Sequence, residues 1–169
     1  EKPVDLRPLG PADTCYIQFS SGSTRHPHGV QITQAALMAN LAGITGPGGL
    51  EVVPGDRAAS WLPLYHDMGL VGFLSIPMTT GVHLVQAAPQ DFMAKPGAWM
   101  QWISDWGGTA TAGPNFSWVL ATRALQRMEG LDLSTLTLAL SGAEPVDPNA
   151  VEAFVSAAAR FGFPAGGVF

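Results

Sequence analysis

From residue 58 onward, short apolar runs alternate with helix-forming runs, and this alternation constrains the fold more than any other feature of the chain. Residues 58–62, 82–85, 109–112 and 136–140 are apolar or small, too short for stable helices, and bounded by Gly, Pro or polar turns. They read as buried strands. Between them lie longer segments with helix signals. Asp67 fits the N-cap of an apolar helix ending near Pro77, and Pro96 suits the start of a helix closed by Gly107-Gly108. Pro114 opens a helix to about Met128, and Asp147 caps a last one with Val151, Phe154, Val155 and Ala158 on one face. Residues 89–92 read as a loop. Strands that alternate with helices predict an α/β fold with a mainly parallel sheet flanked by helices, because parallel strands need crossover connections. Trp99, Trp102, Ile103 and Trp106 recur at helical spacing and read as a core-facing stripe.

The first part of the chain follows another pattern. Residues 16–19 and 30–33 alternate apolar and polar side chains, as in a hairpin. The loop between them runs over residues 20–29 and is longer than ordinary hairpin loops. Ser20, Ser21, Ser23 and Thr24 supply hydroxyls there, and Gly22 permits close backbone approach. Such a loop suits an anion held by backbone N–H groups and hydroxyls. It equally suits a solvated loop built of turn formers. It is not a common P-loop, which needs a lysine after its glycines and a helix beyond. Thr33 can N-cap a helix to about Gly43. Residues 1–13, with Pro3, Pro8, Gly10 and Pro11, read as a linker from an upstream segment.

Ligands in open α/β sheets sit beyond the carboxyl ends of strands. The unusual polar clusters fall at those places: Tyr65-His66-Asp67, Gly113-Pro114-Asn115 and Ser141-Gly142-Ala143-Glu144. With the hydroxyl-rich loop they predict a composite site.

Composition narrows the function classes. Net charge is −5 and no basic stripe exists, which argues against a nucleic-acid partner. The chain has one cysteine, Cys15, so no internal disulfide forms, which fits a reducing, cytoplasmic location. The apolar stretch at residues 68–78 is too short for a transmembrane segment. No His/Cys/Asp/Glu set has metal-ligand spacing, and no Ser-His-Asp set or G-x-S-x-G elbow is visible. Charged residues are 12%, against about 25% in ordinary soluble proteins. That low fraction suggests a fragment whose surface is covered by further protein.

At these residues the chain resembles the adenylate-forming superfamily of acyl-CoA synthetases and luciferases. The stretch Ser20-Ser21-Gly22-Ser23-Thr24-Arg25-His26-Pro27-His28-Gly29 is similar to its phosphate-binding signature, [ST]-S-G-[ST]-T-G-x-P-K-G. Leu62-Pro63-Leu64-Tyr65-His66-Asp67-Met68-Gly69-Leu70, Gly113-Pro114-Asn115-Phe116 and Ser141-Gly142-Ala143-Glu144-Pro145-Val146 resemble the forms typical of fatty acyl-AMP ligases, in order and across nearly the whole chain. Arg25 and His28 stand where glycine and lysine are usual, a variant similar to actinobacterial members. A neutral imidazole neutralises phosphate less than an ammonium. Arg25 either restores that cation or lies in solvent.

The resemblance implies that residues 14–169 are part of the AMP-binding N-terminal domain, with the C-terminal domain absent and the fragment inactive alone. It implies activation of a fatty acid with ATP to an acyl-adenylate and pyrophosphate. Transfer to an acyl carrier protein, often of a polyketide synthase, would follow. Alternatives are an acyl-CoA ligase and a non-catalytic nucleotide-binding protein of the same fold. His66 would sit at the α-phosphate and acyl carboxylate. Ser20, Ser21, Gly22, Ser23, Thr24, Arg25, His28 and Gly29 would belong to the phosphate loop. Gly142, Ala143 and Glu144 would line the adenine, and Gly113, Asn115 and Phe116 would border the acyl tunnel. The ligand for Mg2+ is expected in a Tyr-Gly-x-x-Glu type motif beyond Phe169.

Overall fold

The hairpin signal at the start of the chain corresponds to two antiparallel strands, β1 (Thr14–Phe19) and β2 (Gly29–Thr33). The computed structural model describes residues 7–19 and 27–167. Its contacts divide the chain into two compact units, Glu1–Glu51 and Val52–Phe169. In the first, Tyr16 pairs with Ile32 and Phe19 with Gly29. The Thr14 hydroxyl accepts a hydrogen bond from the Gln31 amide. Helix α1 (Gln34–Thr45) follows, with the Thr33 hydroxyl accepting from the Ala36 N–H at 3.2 Å. The helix outruns the predicted stop at Gly43. One interior glycine costs about 1 kcal/mol, less than continued backbone hydrogen bonding returns. It ends at Gly46, whose N–H reaches the Ala42 carbonyl.

The second unit holds a four-stranded sheet in the order β4-β3-β5-β6. Its strands are β3 (Arg57–Ser60), β4 (His83–Gln86), β5 (Ala110–Gly113) and β6 (Leu138–Ser141), and every neighbouring pair is parallel. Chain order thus produces the predicted α/β architecture. The strands are small and apolar because both faces are covered. Helices α2 (Ile76–Thr80), α3 (Pro89–Ala94), α4 (Gly97–Trp106), α5 (Asn115–Leu125) and α6 (Pro148–Ala158) make the connections. No helix among the described residues is long and apolar enough to cross a membrane.

Several local expectations change. The helix after Asp67 begins as a π-helical segment, Met68–Ser75, and passes through Pro77 to Thr80. Pro77 lies in the first turn of the α-helical part, where a missing N–H is tolerated. Residues 89–94 form α3 rather than a loop. Pro89 sits at its start, the Asp91 carboxylate accepts from the Ala88 N–H at 3.2 Å, and Phe92 is fully buried. Of the tryptophan stripe, Trp99 and Ile103 are fully buried, whereas Trp106, in the last turn of α4, is 62% exposed. Met100 takes a core position instead.

Ring contacts run through this core. Trp61 stacks on Phe92 at 4.0 Å, Phe92 meets Trp99 at 5.6 Å, and Trp99 meets Trp118 at 4.8 Å. Trp118 then meets Phe154 at 4.8 Å. Each such pair adds roughly 0.5–1.5 kcal/mol beyond area burial. The buried indoles need acceptors. Trp118 donates to the Gly113 carbonyl at 2.9 Å, and Trp99 donates to the Thr111 hydroxyl at 2.8 Å. The Thr111 hydroxyl in turn donates to the Ala59 carbonyl at 2.6 Å, which ties β5 to β3. Thr111→Val keeps the shape but leaves the Trp99 N–H and the Ala59 carbonyl unpaired. Unpaired buried groups cost roughly 1–3 kcal/mol each. Urea unfolding of the variant is expected to show a loss of about 2–4 kcal/mol, with the slope unchanged.

Candidate functional site

Three of the four polar clusters leave the carboxyl ends of β3, β5 and β6, which lie side by side in the sheet. Gly113 and Ser141 are paired partners at the ends of β5 and β6, so the next two loops start level with each other. The Gly142 N–H faces the Gly113 carbonyl at 3.4 Å. A side chain built on Gly142 would stand 3.6 Å from the Met68 sulfur, so the loop after β3 comes close to the loop after β6.

His66 lies on the turn before the π-helical segment, half exposed. Its Nδ1 is 2.8 Å from the Asp67 carboxylate and 3.2 Å from the Met68 N–H. One ring nitrogen cannot serve both. A bare Nδ1 would face a carboxylate oxygen at 2.8 Å and be repelled, so the ring proton sits on Nδ1 and points at Asp67. The Met68 N–H is satisfied by the same Asp67 oxygen at 2.8 Å. Asp67 therefore caps the helix and orients the imidazole together. Tyr65 beside it is 87% exposed.

The loop after β5 is more internally committed. Pro114 has no side-chain donor or acceptor to cap α5. The Glu144 carboxylate, from the neighbouring loop, accepts from the Asn115 N–H at 2.9 Å in its place. The Asn115 amide donates to the Pro145 carbonyl at 2.8 Å, and its oxygen accepts from the Asp147 N–H at 2.9 Å. The Ser141 hydroxyl lies 3.4 Å from that oxygen. Gly113 has its own structural reason. A side chain there would collide with the Ser117 hydroxyl at 2.3 Å. Phe116 packs edge-on against Trp61 at 6.1 Å and Phe92 at 6.3 Å, yet is 46% exposed. Of the predicted acyl-side residues, Phe116 is the one presented outward. Trp61 Nε1 is buried without a hydrogen-bond partner among the described residues.

Ala143 adopts φ 71°, the left-handed region. A non-glycine residue there is held against its preference. Ser141, Asp147 and Pro145, which the sequence placed in a strand-end cluster, at a helix cap and in a motif, also join this network. Two of them act through the backbone, which leaves no side-chain signature. The hairpin belongs to the other unit. Ser20, Ser21, Gly22, Ser23, Thr24, Arg25 and His26 lie outside the described residues, while His28 lies just before the start of β2 and Gly29 at it. Among the described residues no group of three His, Cys, Asp or Glu is placed to hold a metal ion.

The left-handed conformation costs an alanine about 1–2 kcal/mol relative to glycine. Ala143→Gly is therefore expected to raise the urea midpoint modestly. A lower midpoint would mean that the loop does not hold this conformation.

The model of the AMP-binding enzyme family matches residues 1–163. A "Putative ligase Rv1013" of Mycobacterium tuberculosis is 42% identical over 163 residues, which cover 95% of this chain and 30% of that protein. A structure from a study of fatty acyl-adenylate ligases from E. coli and L. pneumophila superposes with a TM-score of 0.86 at 40% identity, covering 95% of this chain and 29% of that one. The fatty acyl-adenylate ligase from L. pneumophila in complex with acyl adenylate and pyrophosphate gives a TM-score of 0.84 at 32% identity, covering 99% of this chain and 29% of that one. The chain spans about 30% of the length of the relative it matches. It belongs to the AMP-binding enzyme family.

Proposed function

We infer that this chain forms part of an enzyme that activates a fatty acid with ATP, giving an acyl-adenylate and pyrophosphate. The observation that carries the reading is the juxtaposition of the His66 turn, the Phe116 turn and the Gly142–Glu144 loop at adjacent strand ends. The relatives named as fatty acyl-adenylate ligases support it, one of them in complex with acyl adenylate. In the reaction an acyl carboxylate oxygen attacks the α-phosphorus. A P–O bond forms, the bond to the bridging oxygen breaks, and pyrophosphate departs. Positioning and charge stabilisation dominate such a displacement.

His66 offers Nε2 to the reacting carboxylate and phosphate, with Asp67 holding the ring. The backbone of Gly142, Ala143 and Glu144 lies along the adenine. Phe116 offers an apolar edge to the acyl chain, supported by Trp61 and Phe92. Ser21, Gly22, Ser23 and Thr24 of the hydroxyl-rich loop would hold the β- and γ-phosphates. Magnesium held by a glutamate elsewhere in the full-length enzyme would neutralise phosphate charge. The acceptor in the second half-reaction is an acyl carrier protein; CoA is the alternative.

In the full-length enzyme, His66→Gln is expected to lower fatty-acid-dependent pyrophosphate release by about 100-fold, as loss of one transition-state partner does. The circular dichroism spectrum should not change. Undiminished release would remove His66 from the chemistry. With ATP and dodecanoate, acyl transfer is expected to a phosphopantetheinylated carrier protein and not to CoA. Rapid acyl-CoA formation would reverse the choice of acceptor.

A further inference from the structure

We propose that Asn115 and Glu144 are positioning residues that lock the nucleotide-side loop to the acyl-side loop, so that filling either subsite prepares the other. The proposal rests on the adenylation reading above and deepens it. Both residues are committed to partners inside the protein. The Glu144 carboxylate accepts from the Asn115 N–H at 2.9 Å, from one loop to the other. The Asn115 side chain returns the connection, donating to the Pro145 carbonyl at 2.8 Å and accepting from the Asp147 N–H at 2.9 Å. The chain between the two residues is long, yet their loops leave neighbouring strands at the paired residues Gly113 and Ser141.

Two features show that the link shapes the loops rather than decorating them. Helix α5 begins at a proline that offers no cap, so Glu144 supplies it from outside. Ala143, immediately before Glu144, is held at φ 71°. A non-glycine residue stays in that region only where its surroundings over-determine it. The bonds at Glu144, Pro145 and Asp147 are those surroundings. Phe116 follows Asn115 directly, so the same bonds set the first turn of the helix that carries it.

The physical consequence is shared ordering. A ligand that settles residues 142–145 also settles residues 113–116, because one hydrogen-bond network holds both. The second ligand then meets a loop already shifted toward its bound position and binds more tightly. Such coupling is reciprocal, and typical factors are about 5–150-fold.

The test uses the full-length enzyme with AMP and dodecanoate, a pair that does not react because AMP lacks the pyrophosphate leaving group. Calorimetry measures the Kd of each ligand alone and with the other saturating. In the wild type each ligand is expected to tighten the other by about 5-fold or more. Asn115→Ala and Glu144→Ala should bring that factor, taken as the ratio of each variant's own two Kd values, close to one. Glu144→Gln keeps an oxygen for the Asn115 N–H and should restore the coupling. The double alanine variant should lose no more than either single variant, as members of one network do. Should the alanine variants not fold, Asn115→Asp decides: its carboxylate still accepts from the Asp147 N–H but faces the Pro145 carbonyl with no proton to donate, and the factor is expected to fall. Equal coupling in wild type and in the folded variants, or no coupling in the wild type, overturns the proposal. Absence of binding by both ligands, with no pyrophosphate release, overturns the adenylation reading instead.

Discussion

The seam between β3 and β5 is the junction on which the second unit depends. It lies at the centre of the sheet, yet its register has a single ladder pair, Ala58 with Ala110. Two threonines complete it. Thr109 accepts from the Arg57 N–H at 3.0 Å and donates to Asp56 at 2.9 Å, and its own N–H reaches the Arg57 carbonyl at 2.7 Å. Thr111 bridges the Ala59 carbonyl and the Trp99 indole. A parallel sheet covered on both faces has no water to supply missing partners, so side-chain hydroxyls must take over where the ladder is sparse. Because Thr111 also holds Trp99, the same bond fixes α4 against the sheet and anchors the aromatic contacts that run to Phe154.

That seam sets where the loops emerge. β5 pairs along its whole length with β6, which keeps the Asn115 and Glu144 loops level. β3 delivers the His66 turn beside them. The site is thus not carried by any one element. It is the rim of the sheet, made of loops that short strands end in, and held by polar bonds between loops rather than by apolar burial. Exposed rims of this kind can carry reactive side chains and a left-handed alanine, because the packed sheet below supplies the stability.

Much of the architecture was readable along the chain. The small apolar runs, the breaks at Gly and Pro, and Thr33, Asp67 and Asp147 as caps each act within a few residues. Local chemistry decides them. The misread places involve competition between local and distant terms. Phe92 turned a loop reading into a helix because its ring is needed under Trp61. Trp106 fits the periodicity of α4 but lies in its last turn, exposed, while Met100 is fully buried. Pro77 looked like a stop, but a π-helical turn placed it where its missing N–H does no harm.

The sequence by itself determined the order of strands and helices, the placement of polar clusters at strand ends, and the family to which the chain belongs, because each depends on residue type and spacing within short windows. Only the tertiary structure decided what those polar residues touch. Asn115 and Glu144 look like ligand-facing residues in the motifs, and in the fold they bind each other's loops. His66 acquires its tautomer from Asp67 only once the turn is formed. A hydrogen bond between loops far apart in the chain has no local signature. It exists because β5 and β6 pair in a register that brings their ends together.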